Sequence, residues 1–193
     1  SNGSRDMTFA DGRGKAVLLD SVSGTTPMFI AQDADGKLLL AGSLLQPGLT
    51  AFLLQRYKTS GKLDSSFGVD GSTVLASGTN SQLTAFSGLQ SGDWIAVGEV
   101  CFRRKDNKAN GMIICADSDI VMARFNGKGE LDTDFAQEGI LVTSIAPARD
   151  IPLAVIEQND SRLSLMARSC QSIHCSYYDF SMVRYTMHLD SHS

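Results

Sequence analysis

The sequence predicts an all-β fold, a β-propeller built of four-stranded antiparallel blades with three repeats per chain, on three observations. One phrase recurs: Leu63-Asp64-Ser65-Ser66-Phe67-Gly68 returns as Leu131-Asp132-Thr133-Asp134-Phe135-Ala136 and, more weakly, as Arg5-Asp6-Met7-Thr8-Phe9-Ala10. An arginine followed by an aromatic recurs in step with it, at Arg56-Tyr57, Arg124-Phe125 and Arg184-Tyr185. The segments between are short, apolar and bounded by turn formers, and none is long and periodic enough for a helix. A fixed period marks a repeat architecture. Four antiparallel strands per unit are what a propeller blade requires, and the strand-like pattern excludes a helical solenoid.

Each element can be placed in turn. First strands are expected at Met28-Phe29-Ile30-Ala31, Leu83-Thr84-Ala85-Phe86 and Leu153-Ala154-Val155-Ile156. Second strands follow at Leu38-Leu39-Leu40-Ala41-Gly42, Trp94-Ile95-Ala96-Val97-Gly98 and Leu163-Ser164-Leu165-Met166-Ala167, runs that suit burial on both faces. Third strands cover 52–57, 120–125 and 180–185, each ending in arginine plus an aromatic. Fourth strands are expected at Ser72-Thr73-Val74-Leu75 and Ile140-Leu141-Val142-Thr143, with a lone counterpart at Lys15-Ala16-Val17-Leu18-Leu19. The chain therefore reads as one repeat domain over 1–193, with blades at approximately 20–75, 76–143 and 144–190 and the strand at 15–19 completing a blade.

The joints carry their own chemistry. Asp33-Ala34-Asp35-Gly36, Thr59-Ser60-Gly61-Lys62 and Asn126-Gly127-Lys128-Gly129 place glycine where a tight hairpin needs positive φ. In the recurring phrase, the aspartate can accept backbone N–H groups two or three residues on, as an N-cap does. That turn would aim Phe67 and Phe135 into the seam between neighbouring sheets, making Asp64, Phe67, Asp132 and Phe135 structural. Alternation puts Arg56, Arg124 and Arg184 on the face of Phe52/Leu54, Ile120/Met122 and Phe180/Met182, where a buried guanidinium needs a carboxylate. Asp64 and Asp132 are the natural partners; the competing role is a ring of ligand-binding cations around a channel. By the same alternation Met122, Met166 and Met182 are core fillers.

Composition bounds the function. With 42% hydrophobic and 20% charged residues the chain is globular rather than disordered, and its 193 residues suffice to bury about 70% of the surface of the unfolded chain. A net charge of −4 offers no field for phosphate backbones, so nucleic acid is not an expected partner. No apolar run reaches the roughly 20 residues of a membrane-spanning helix. The opening Ser1-Asn2-Gly3 reads as an expression remnant, which leaves secretion open on that ground.

The four cysteines fall as two local pairs. Cys101 and Cys115 bracket one insert, and Cys170 and Cys175 a second at the equivalent place in the next repeat. Two local disulfides and an oxidising compartment, the periplasm or the exterior, are expected. Free buried thiols and a zinc site with His174 compete, although the spacings match no familiar zinc pattern.

No nucleophile constellation stands out, and no catalytic residue, metal or cofactor is assigned. His188 and His192 lie in the C-terminal tail. Asp33 and Asp35 before Gly36 open like a Ca²⁺ loop. The matching Gln90-Ser91-Gly92-Asp93 and Gln158-Asn159-Asp160-Ser161 keep the turn formers and lose the alternating acids, which favours hairpin chemistry. Asp117 and Asp119 carry a similar weak signal. The candidate binding residues are Arg103, Arg104, Lys105 and Lys108 in the insert at 99–118, with His174, Tyr177 and Tyr178 in the insert at 169–178. Loops raised from a rigid scaffold are where recognition concentrates, against the plainer reading of a solvated charged tip.

The run Arg-Tyr-x-x-x-Gly-x-Leu-Asp-x-x-Phe-Gly from Arg56 to Gly68, preceded by Asp35-Gly36-Lys37-Leu38-Leu39-Leu40-Ala41-Gly42, resembles the delta-60 repeat family. The resemblance implies a bacterial, secreted or envelope-associated β-propeller and brings no catalytic motif. The cysteine-bracketed inserts depart from its plain repeat. The expected function is a non-enzymatic binding or assembly module that recognises a protein or glycan with the insert-bearing face. Alternatives are a hydrolase or lyase with its site in the propeller channel, and a purely structural spacer. Three blades are fewer than the usual four to eight. A homodimer completing a six-bladed ring is therefore expected, against an open wedge covered by another protein or a piece of a longer propeller.

Overall fold

A computed structural model describes residues 3–16, 24–47, 49–77, 81–107, 112–159, 162–172, 175 and 177–187. The first sheet takes β1 (Thr25–Gln32), β2 (Leu38–Gln46), β3 (Leu49–Tyr57) and β4 (Ser72–Leu75) in that order, all antiparallel. The second repeats the arrangement with β5 (Ser81–Gly88), β6 (Trp94–Asn107), β7 (Met112–Phe125) and β8 (Ile140–Thr143). The third has β9 (Asp150–Gln158), β10 (Arg162–Ser169) and β11 (Asp179–Thr186). Among the described residues it has the three strands expected from 144–190 and no fourth. Lys15 and Ala16 lie outside any strand, and 17–19 are not among the described residues.

Turn chemistry sets these hairpins. The Asp33 carboxylate accepts the N–H groups of Asp35 at 3.0 Å and Lys37 at 2.8 Å, so its acid side chain closes the β1–β2 turn. Asn126 does the same after β7, accepting from Lys128 at 2.9 Å and Glu130 at 3.0 Å. Asp33 is thus occupied with its own backbone. Among the described residues, no group of His, Cys, Asp and Glu is arranged to hold a metal ion.

The repeat extends to a feature absent from the sequence pattern. Each first strand carries a register shift against its second strand at the same place, around Met28, Thr84 and Leu153. Glycine answers it in the first two sheets. A Cβ on Gly42 would meet the Thr26 carbonyl and Pro27, and one on Gly98 the Gln82 carbonyl and the Phe52 ring. At these two positions the bulge brings backbone so close that a Cβ would clash, whereas Ala167 holds the equivalent place in the third sheet.

The sheets stack in series, and the middle sheet is apolar on both faces. Trp94, Ala96, Val121, Ala123 and Phe125 pack against Leu39, Ala41, Phe52 and Leu54 of the first sheet. Ile95, Val97, Ile120 and Met122 pack against Val155, Leu163, Leu165 and Ala167 of the third. Each fully buried side chain of this size stabilises the stack by about 1.5–3 kcal/mol. The stack does not close on itself, so the two outer sheets each keep one face open. Met122 is buried, but Met166 and Met182 are 41% and 76% exposed and are not core fillers. Alternation assigned them a face correctly, yet among the described residues no further sheet covers that face.

Two copies of one joint link the sheets, and a third copy of the same turn lies on the first sheet. The aspartate of each phrase accepts the N–H two residues on: Asp6 from Thr8 at 2.8 Å, Asp64 from Ser66 at 3.3 Å and Asp132 from Asp134 at 3.1 Å. Each aspartate carbonyl then accepts from the phenylalanine N–H, at Phe9, Phe67 and Phe135. Phe67 enters the seam against Gly129, whose φ of +83° excludes other residues and whose absent Cβ would lie 2.6 Å from the ring.

Candidate functional site

Two polar systems stand out against this apolar stack. The first is the seam. Arg56 Nε donates to Asp64 Oδ2 at 2.9 Å, one Nη to the Gly127 carbonyl of the next sheet at 2.7 Å and the other to Ser66 Oγ at 3.2 Å, with its guanidinium 4.8 Å above the Phe67 ring. Arg124 repeats the arrangement, donating to Asp132 at 2.6 Å and lying 5.3 Å above Phe135. Both arginines are buried, at 8% and 7% exposure. Burial alone would raise the Asp64 carboxyl, but hydrogen bonds from Ser66 and Lys37 and the Arg56 charge hold it well below the usual carboxylate range. Arg184 is exposed and, among the described residues, has no such carboxylate. These groups are engaged with one another and with the neighbouring sheet, which makes the seam a staple between sheets.

The second system lies at the edge where both inserts emerge. The expected loop at 99–118 is instead a β-hairpin. β6 and β7 continue their ladder outward, with Cys101 opposite Ser118 and Asn107 opposite Met112, and bulges fall between Cys101 and Arg104. The ladder persists because backbone hydrogen bonds need no apolar side chains. The Cys101–Cys115 disulfide pins its two arms together, and a Cys170–Cys175 disulfide closes the second insert.

The segment from Ala148 to Asp150 runs between the two inserts and joins them. Ser118 N–H donates to the Ala148 carbonyl at 3.2 Å, and Cys170 N–H donates to the Arg149 carbonyl at 2.9 Å. Arg149 clamps Glu99 through both carboxylate oxygens, at 2.8 and 3.1 Å from Nη2. Ser118 Oγ adds contacts of 3.3 Å to Glu99 and to the Asp150 carbonyl. Burial acts to lower the Arg149 guanidinium, and Glu99 and Tyr178 together outweigh it and raise it. Tyr178 is held from its other side, with the Arg168 guanidinium 5.0 Å above its ring. The base of the edge is therefore a fixed bidentate lattice.

Asp150 is fully buried; one carboxylate oxygen accepts the N–H groups of Ile145 and Ala146, and the other has no partner. Nearby Asp119 is raised, first by burial and then by Asp150 and Asp117, with a Ser144 hydrogen bond opposing. A carboxyl raised in the folded state favours folding below its unfolded value of about 3.9. That stabilisation is lost as pH rises through the folded value. Asp119→Asn should accordingly raise the melting temperature at pH 7 and change it much less at pH 4; an equal shift at both would show that charge is not the cause.

Of the predicted binding residues, Tyr177 is 89% exposed and Tyr178 is engaged in the clamp. Arg103, Arg104 and Lys105 lie on the β6 arm. Lys108 and His174 fall outside the described residues. Phe102, 62% exposed beside Cys101, was missed, as were Glu99 and Arg149. An exposed aromatic between a cysteine and a basic run was a readable signal for Phe102. Nothing in the sequence pairs Glu99 with Arg149.

With this geometry in view, comparison with known proteins bears on the fold. Residues 34–67 match the model of a family described as "Domain of unknown function (DUF5122) beta-propeller". The repeat is of β-propeller type. The matched stretch runs from the β1–β2 turn through β2 and β3 to the seam phenylalanine, so one blade's core and its joint carry the likeness. No curated protein matches the chain. The two disulfides indicate an oxidising compartment. Among the described residues, no helix is long and apolar enough to cross a membrane.

Proposed function

We propose that the chain is a non-enzymatic binding module of the bacterial envelope or exterior, a delta-60-type propeller scaffold that recognises a protein or glycan with its insert-bearing edge. One observation carries the reading. The two disulfide-closed inserts are locked to each other through Glu99, Ser118 and Arg149, while Phe102 and Tyr177 remain exposed beside them. A fixed base with projecting aromatics next to a basic run suits recognition: the rings bring large contact area at small entropic cost, and the arginines add planar donors. Periplasm and exterior both supply the oxidising conditions that the disulfides require.

The test is binding to a glycan array and to a solubilised envelope fraction. Phe102→Ala and, separately, Tyr177→Ala should each reduce binding at least tenfold while leaving the melting temperature within about 1 °C of wild type, as exposed positions do. Retention of wild-type binding by both variants would overturn the assignment of this edge. Absence of any bound glycan or protein would favour a structural spacer.

A further inference from the structure

We propose that Arg184 of one copy and the Asp6–Phe9 turn of a second copy form the joint that Arg56 and Asp64–Phe67 form within the chain, closing two copies into a two-fold ring of six sheets. The proposal concerns the outer sheets and does not depend on what the insert edge binds.

The N-terminal phrase is already docked as a joint. Phe9 lies against Gly61, where a Cβ would sit 2.8 Å from the ring, as Phe67 lies against Gly129. Ala10 N–H donates to the Ser60 carbonyl at 3.1 Å, matching Gly68 N–H to the Lys128 carbonyl at 2.8 Å. The turn closes with Gly14 N–H to the Phe9 carbonyl at 2.9 Å, one residue longer than the Gly71 to Phe67 closure at 2.9 Å. This phrase thus occupies, on the first sheet, the place that a preceding blade's phrase occupies on the second.

Among the described residues, no arginine engages this turn as Arg56 engages Asp64 and Phe67. In the internal joint Arg56 reaches a carboxylate, a hydroxyl, a carbonyl and a ring: Asp64, Ser66, Gly127 and Phe67. The same four positions at the N-terminal joint are Asp6, Thr8, Thr59 and Phe9. The Asp6 carboxylate accepts from Thr8 N at 2.8 Å and Thr8 Oγ1 at 2.6 Å, and among the described residues it has no cationic partner. Arg184 holds the complementary half. It stands where Arg56 and Arg124 stand, opposite Ser164 as they are opposite Leu39 and Ile95. Positive and negative halves of one repeated ion pair therefore lie on the two outer sheets.

The faces around them match in the same way. Phe180 and Met182 are 77% and 76% exposed, whereas their equivalents Phe52, Leu54, Ile120 and Met122 are fully buried in the internal seams. Ile156, Met166, Met182 and Arg184 line a groove of about 310 Å³ on the third sheet. The open face of the first sheet offers Ile30, Leu38, Leu40 and Tyr57 around a groove of about 170 Å³. Contiguous apolar faces of this kind are interaction surfaces. Two copies make six sheets, within the four to eight of known propellers, and a closed ring covers the open faces of both outer sheets.

Mass in solution tests it, by sedimentation equilibrium of this chain at micromolar concentration. Wild type should have twice the chain mass. Arg184→Glu and Asp6→Arg, both at exposed positions, should each weaken self-association at least tenfold with unchanged far-ultraviolet circular dichroism. Arg184→Asp combined with Asp6→Arg in one chain should restore the dimer. A wild-type monomer, as expected if further blades or an unrelated protein cover these faces, overturns the proposal. So does a dimer indifferent to both single substitutions, or an open-ended polymer. The insert-edge variants Phe102→Ala and Tyr177→Ala should leave the mass unchanged, which separates failure of this joint from failure of the binding assignment.

Discussion

Phe67→Ala is expected to lower the unfolding free energy by about 3–5 kcal/mol, a large share of the roughly 5–15 kcal/mol available to a domain. Phe67 is fully buried, and its ring fills the space between the first and second sheets against Gly129. Truncation removes apolar burial, leaves a cavity that the glycine cannot fill and takes away the surface beneath the Arg56 guanidinium. Phe9→Ala makes the contrast, because Phe9 is only half-buried at the outer joint and its loss should cost visibly less. Urea denaturation of the two variants, with Phe67→Leu as an intermediate step if Phe67→Ala does not fold, measures the difference. A cost at Phe67 no greater than at Phe9 would mean that the seam is not what joins the sheets.

That prediction could be framed from sequence, because the phrase, the turn glycine and the arginine-aromatic pair are local patterns whose chemistry repeats. The hairpin turns were legible for the same reason: Asp33 and Asn126 act on backbone within four residues of themselves. Features resting on pairing between distant segments were not. The outward run of β6 and β7 was read as a loop because its tip is polar, and polar side chains do not reveal a ladder held by backbone. Exposure of Met166 and Met182 was misread because alternation tells which face a residue takes, not whether another sheet lies over it. At the insert edge the cysteine pairs were local and readable. The Glu99–Arg149 clamp joins residues 50 apart on different blades and occurs once, so no repeat advertises it.

Asp64→Ala should cost about 3–5 kcal/mol, the usual penalty for leaving a buried charge without its partner. Asp64 is 3% exposed and holds Arg56 at 2.9 Å and Lys37 at 3.1 Å. Without it, Arg56 keeps the Gly127 carbonyl and Ser66, and its remaining counter-charge is the more distant Asp33 carboxylate at 4.0 Å. Arg56→Leu removes the other half, and the double variant should be less destabilised than the sum of the two singles, since neither group is then stranded. Acid should reproduce part of the effect. Because the folded Asp64 carboxyl is depressed, its stabilisation is complete above the unfolded value of about 3.9. It is lost as pH falls from there through the folded value. Asp64→Asn, which retains an acceptor, should cost less than alanine at pH 7 and flatten this acid limb. Additive costs in the double variant, or an acid limb as steep in Asp64→Asn as in wild type, would show that the pair does not stabilise the joint.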